Sequence, residues 1–129
     1  MERGADPRYC LFSAAYNSDL EAIRLLVAYG ADVNDPMGSA PPFVDAVMFS
    51  RFESAEELLK LGADVDGRNA VGMTALHCML KKGSDKAHFR ILVAHGARGD
   101  IPDAKGVTAR QIMRRKKDPD FRRMAEELA

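Results

Sequence analysis

The sequence predicts an all-α solenoid of stacked helix-turn-helix units with β-turn or hairpin fingers between them, one domain over residues 1–129. Three observations predict it. The segments Gly30-Ala31-Asp32, Gly62-Ala63-Asp64 and Gly96-Ala97-Arg98 each close an apolar run, and their glycines lie 32 and 34 residues apart. A second register upstream, Tyr9-Cys10-Leu11-Phe12, Pro41-Pro42-Phe43-Val44, Thr74-Ala75-Leu76-His77 and Thr108-Ala109-Arg110-Gln111, advances by 32, 33 and 34 residues. Between the two, apolar residues keep the three-and-four spacing of a helix with one buried stripe, as at Leu20, Ile23, Leu26 and Val27. Recurrence near 33 residues marks one supersecondary unit copied along a stack.

Four units follow, over about residues 8–35, 36–68, 69–101 and 102–129. In the first, Leu11 to Asn17 carries small and apolar residues on its inner turns and forms the first helix. The second helix, from about Leu20, must stop at Gly30, where glycine takes the left-handed conformation without a side-chain clash. The second unit repeats this with Phe43 to Phe49 and a helix ended by Gly62. Its finger contains Pro36 and lacks one residue, since Gly30 to Pro41 is 11 whereas Gly62 to Thr74 and Gly96 to Thr108 are both 12, so distortion is expected there. The third unit, with Leu76 to Lys82 as its first helix, gains a residue around Ser84-Asp85-Lys86, where Ser84 or Asp85 is placed to cap the next helix. In the fourth, Phe121, Met124 and Leu128 supply an inward stripe. Met1 to Pro7 is similar to the tail of a preceding unit but too short to be one; a native N-terminus with a shortened finger is expected, and a cut from a longer array is the other origin.

These registers resemble the ankyrin repeat, whose pattern runs G-x-T-P-L-H, two alanines, a short loop, and an apolar helix ending L-L-x-x-G-A-D-V-N. Gly72-Met73-Thr74-Ala75-Leu76-His77 matches best, and the resemblance covers nearly the whole chain. The fourth unit departs from the pattern: Arg110 and Gln111 stand where Leu and His are usual, and Arg114 stands at an alanine position. Terminal units expose one flank to water, so this polarity reads as a C-terminal cap.

Composition excludes several function classes. No apolar run approaches the ~20 residues of a membrane helix. Nineteen basic and nineteen acidic residues cancel, which removes the global field that drives non-specific binding to nucleic acid or membranes. Cys10 and Cys78, 68 residues apart, lie about two units from each other, beyond disulfide reach, and read as small buried hydrophobes. Reduced thiols suit the cytoplasm or nucleus, and Met1-Glu2-Arg3-Gly4 opens no signal peptide.

Catalytic chemistry is not legible, and no enzyme, cofactor, metal or small-molecule substrate is expected. The resemblance implies that His77 hydrogen-bonds the neighbouring finger. His88 and His95, seven residues apart on one helix, read as a solvent-facing pair with no third ligand at metal spacing. No phosphate-cradling loop, H-E-x-x-H or G-x-S-x-G is present. Glu53, Glu56 and Glu57 gather at the start of a helix, where their charge complements the helix dipole, and read as solvated.

The resemblance implies a partner surface along the concave side, formed by fingers and the exposed ends of first helices. Mapped onto this chain, it comprises Tyr16 and Asn17, Met48 and Phe49, Lys81 and Lys82, then Arg115 and Lys116, with Arg68, Met73, Asp103 and Lys105 from the fingers. Met48 and Phe49 place two large apolar side chains where the family is polar, which marks an interface unless both fold down as core. Arg114 to Lys117 form a basic run that, with Lys81 and Lys82, could receive acidic groups.

The function expected is non-catalytic protein–protein interaction, a scaffold or adaptor for a protein or peptide partner. Its apolar anchor would sit near Met48 and Phe49, with acidic groups toward the basic C-terminal half. An alternative is a small inhibitor or regulator of an enzyme such as a protein kinase, since the small ankyrin inhibitors of cyclin-dependent kinases also carry an atypical second unit. A nucleic-acid-associated regulator would use Arg110 to Lys117, against which stand the zero net charge and the lack of interleaved aromatics.

Overall fold

The computed structural model describes residues 7–34 and 40–129. Eight helices appear among them: α1 (Pro7–Tyr16), α2 (Leu20–Ala28), α3 (Pro42–Met48), α4 (Phe52–Lys60), α5 (Ala75–Lys82), α6 (Lys86–Ala94), α7 (Ala109–Arg114) and α8 (Pro119–Glu127). They form four antiparallel pairs. The first helices pack side by side, α1 on α3 on α5 on α7, while α2 packs on α4 and α6 on α8. Leu11, Phe43 and Leu76, in one register position, are all buried, as are Leu58, Phe89 and Leu92 from the second helices.

Helix ends follow from one device. Gly30, Gly62 and Gly96 have φ of 102°, 104° and 80°. In each case the glycine N–H and the next residue's N–H turn back onto the last helical carbonyls, as Gly30 does to Val27 at 3.0 Å and Ala31 to Leu26 at 3.0 Å. The first helices stop in the same way, but with Ser18 (φ 56°) and Ser50 (φ 59°) in the left-handed position that Gly83 fills in the third unit. Helix starts are capped by side chains: Asp19, Asp85 and Asp118 for α2, α6 and α8, Thr74 and Thr108 for α5 and α7. Asp85, not Ser84, caps the lengthened loop of the third unit.

The two described fingers are built alike. Antiparallel bridges join Arg68 to Thr74 and Pro102 to Thr108. Inside each, one side chain sets the turn: Asn69 Oδ1 accepts from Val71 N (3.1 Å) and Met73 N (3.0 Å), and Asp103 Oδ1 accepts from Lys105 N (2.9 Å) and Val107 N (3.0 Å). These backbone bonds, chiefly that from Val107, hold the Asp103 carboxyl below its ordinary range. The Pro36 finger, the cap-like start at Met1 to Asp6 and the Cys10 side chain lie outside the described residues.

Units are tied by side chains reaching the next backbone. Asn34 Oδ1 accepts from Asp64 N at 2.7 Å, and Asp66 Oδ1 accepts from Arg98 N at 2.8 Å, the same tie one unit on. His77 completes a capping box with Thr74 and its Nε2 meets the Val107 carbonyl at 2.9 Å, joining α5 to the neighbouring finger. Gln111 reproduces the box in the fourth unit, its Oε1 accepting from Thr108 N at 2.9 Å.

The departures of the fourth unit serve its own closure. Arg110, in the position of Leu11 and Leu76, donates through Nε to Ala125 O in the last turn of α8 and through Nη2 to Leu128 O and Ala129 O just beyond it, each at 3.0 Å. Arg114 pairs with Glu126 at 2.7 Å. Ala129 N donates to Ala97 O at 2.9 Å and Gly99 N to Ala129 O at 3.2 Å, so the chain after α8 lies along the third unit's closing turn. Met124 and Leu128 are buried, and Phe121 meets Phe89 edge-on with centroids 5.1 Å apart.

Candidate partner-binding surface

The ends of α1 and α3 bring three rings together. Phe49, the residue that closes α3, stands edge-on to Tyr16 (centroids 5.2 Å, 77°) and to Phe12 (6.2 Å, 82°). Packing on two rings does not bury it: Phe49 remains 44% exposed, Tyr16 42% and Met48 39%. Phe49 thus packs on the first unit and still presents a face to solvent. Arg51 locks the cluster from the next loop, with its guanidinium 4.8 Å from the Tyr16 ring centroid and Nε donating to Tyr16 O at 2.6 Å. Beneath, the buried Ser54 hydroxyl donates to Ala15 O at 2.6 Å, a carbonyl near the end of α1 that also accepts from Ser18 N.

Between these helices lies a shallow dent too small to hold a water molecule, lined by Phe12, Tyr16, Phe49, Pro42, Ala46 and Asp45. Asp45 is half-buried, and among the described residues its carboxylate makes no hydrogen bond or ion pair. Burial pushes its pKa up to about 6, although its place in the first turn of α3 would by itself favour the charged form. Sequence reading passed over Asp45. Its register position holds Ser13, Cys78 and Ile112 in the other units, so the one acid in that column was the available signal.

The basic half is less free than its sequence suggests. Lys82 Nζ donates to the Met48 carbonyl and, at 2.8 Å, to Ser50 Oγ, so this lysine ties α5 to the end of α3. Lys116 stands 5.2 Å from the centroid of the Phe121 ring. Lys81 and Arg115 are exposed, without an ion pair among the described residues. Asn17 is exposed and its side chain donates to Ser13 O at 3.0 Å.

Finger residues stand at the opposite end of the first helices from this cluster. Met73 precedes α5 and packs against the core, whereas Lys82 ends the helix; eight residues at ~1.5 Å each separate the two ends by about 12 Å. Exposed Arg68 and Lys105 belong to the finger end with Met73. Tyr16, Asn17, Met48, Phe49, Lys81, Lys82, Arg115 and Lys116 all stand at the other end of the first helices.

Two readings of charge are corrected. Glu57 is not a solvated helix residue: it is buried and accepts from Arg24 Nη2 at 2.9 Å across the unit boundary, and that bond holds its carboxyl below the ordinary range. Its register position is filled by Leu25 and Ile91 in neighbouring units, which marks an interface site. His88 does not face solvent with His95; its ring stacks on Phe52 at 3.7 Å and 8°, and its Nδ1 is buried without a partner among the described residues. Among the described residues no three His, Cys, Asp or Glu side chains gather to hold a metal ion, and no helix is long and apolar enough to cross a membrane.

Comparison with known proteins agrees with the architecture. A family model described as "Ankyrin repeats (many copies)" matches residues 43–93, and one described as "Ankyrin repeat" matches residues 8–37. The chain is 30% identical over 122 residues to inversin of Gallus gallus, covering 85% of this chain and 11% of that protein. It is 32% identical over 110 residues to inversin of Homo sapiens, covering 83% and 10%. The chain thus spans about a tenth of the length of the curated relatives it matches. Among solved structures, the ankyrin repeat domain of Bcl-3, described as a unique member of the IkappaB protein family, matches with a TM-score of 0.79. That likeness covers 90% of this chain and 50% of the other at 23% identity, and shows the fold.

Proposed function

Because this chain belongs to the ankyrin-repeat family, whose stacked units serve as protein-interaction modules, we propose that it is a non-catalytic scaffold or adaptor whose partner docks across the ends of its first helices. The observation that carries the reading is the Tyr16–Phe49 patch: two aromatic side chains and Met48, each about two-fifths exposed, side by side on otherwise well-packed units. A protein or peptide partner sets an apolar residue against this patch. Acidic residues of the partner follow toward Lys81 and Arg115, which carry their charge at the same end of the stack. The finger residues Arg68, Met73 and Lys105 fall outside this footprint. Buried, unpaired Cys78 supports a reducing compartment, the cytoplasm or nucleus.

Affinity capture with wild-type and Phe49→Ala protein side by side tests the anchor, with loss of the captured partner expected for the variant. Salt titration of the complex tests the charged half: affinity should fall as ionic strength rises, and an affinity independent of salt removes that part of the reading.

A further inference from the structure

We propose that the Met48–Phe49 pair recognises an apolar residue flanked on both sides by carboxylates, and that Arg51 and Lys82 are the residues that impose this choice. This deepens the binding reading above and rests on it.

The two cations straddle the pair. On the side of the first unit, Arg51 donates through Nε to Tyr16 O at 2.6 Å and through Nη1 to Phe49 O at 3.3 Å. On the side of the third unit, Lys82 Nζ donates to Met48 O and, at 2.8 Å, to Ser50 Oγ. All of these acceptors are neutral oxygens, and neither cation has an ion pair among the described residues. The bonds hold the charges in place without neutralising them. Donors also remain, because a guanidinium carries five N–H groups and an ammonium three, and these bonds use two on each residue. The acids at this end of the stack are engaged elsewhere. Asp19 and Asp85 accept from Ala22 N and Ala87 N at the starts of α2 and α6, and Glu53 lies in the first turn of α4, where the helix dipole favours its charge.

An apolar side chain set against Met48 and Phe49 brings its own chain neighbours over both cations. Acidic neighbours gain charge-assisted hydrogen bonds on each side, whereas basic neighbours meet like charge and are rejected. Charge is thus read on two sides of the anchor, which Lys81 and Arg115, both on the side of the later units, cannot do.

The test is an aromatic carbon–proton NMR titration of the full chain, following the Tyr16 and Phe49 rings, with three blocked peptides at matched ionic strength: Glu-Gly-Leu-Gly-Glu, Gln-Gly-Leu-Gly-Gln and Lys-Gly-Leu-Gly-Lys. The glutamate peptide should bind about fivefold more tightly than the glutamine peptide, the gain of two partly exposed ion pairs, and the lysine peptide more weakly than either. Arg51→Gln and Lys82→Gln should each bring that preference down to about twofold, while Arg51→Lys and Lys82→Arg retain it and thermal unfolding confirms an intact fold. Equal affinity for the glutamate and glutamine peptides, or a preference unchanged in either glutamine variant, would overturn the flanking-charge assignment and leave the apolar docking surface standing. No ring shift with any peptide would remove both.

Discussion

Leu128 fills the place of a side chain that Gly99 lacks: a Cβ built on Gly99 would lie 2.7 Å from Leu128 Cδ1 and 3.1 Å from Leu128 Cβ and Arg110 Cβ. Val33 and Val65 hold the same register position in the earlier units. Gly99→Val would restore the repeat pattern and is nonetheless expected to destabilise by about 1–3 kcal/mol, because the extra methyls overpack a closed site. Chemical denaturation checks this, and Leu128→Ala combined with Gly99→Val should recover part of the loss.

Ser18 and Ser50 sit in the left-handed region with side chains that make it unfavourable. Ser18→Gly should stabilise the chain by about 0.5–1 kcal/mol, read as a higher melting temperature. Ser50→Gly should gain less, since Ser50 Oγ also accepts from Lys82.

Phe49→Ala removes two edge-on ring contacts but exposes little new core, since the side chain is 44% exposed already. The expected stability loss is about 1 kcal/mol, against a binding loss of more than about 2 kcal/mol if it anchors the partner. Calorimetric unfolding compared with partner titration separates the two. A stability loss several times larger would make Phe49 core.

Asp45 gives a pH signature of opposite sign to that of a paired carboxylate. Its folded pKa, about 6, lies above the ordinary carboxylate value of 3.8, so the folded chain holds the proton more tightly. The penalty is fully present above the folded value, shrinks as pH falls through it, and is gone below the unfolded value. Asp45→Asn should therefore be more stable than wild type at pH 7, by about 1 kcal/mol once solvent screening is allowed for, and equal to it below about pH 3. Melting temperatures of both proteins across the range decide it.

The stops at Gly30, Gly62 and Gly96 and the cap in the loop at Ser84 and Asp85 were legible in the sequence, because each depends on a local backbone need that few residue types satisfy. Residues that act across a boundary were not. Glu57, His88 and Lys82 carry charges or polar rings that suggest solvent, yet each is spent on the preceding unit: on Arg24, on the Phe52 ring, and on Met48 and Ser50. Reading down each register column, rather than along each helix, would have exposed Glu57 between Leu25 and Ile91 and Asp45 among uncharged residues. Arg110 stood out as a departure from the repeat, and its bonds to Ala125 O and Leu128 O supply the reason.

The ties between units have a kinetic meaning as well. Asn34 to Asp64, His77 to Val107, Asp66 to Arg98, Arg24 to Glu57, Lys86 to Asp120 and Ser54 to Ala15 all join residues 30 to 39 apart, so among the described residues these bonds do not wait on the meeting of distant chain ends. Loop-closure entropy is therefore nearly the same for every link, and ordering can begin at whichever adjacent pair of units forms first and spread in both directions. The first and second units, joined by the Asn34, Arg24 and Ser54 bonds, hold the largest share of these links among the described residues and are the place for that growth to start.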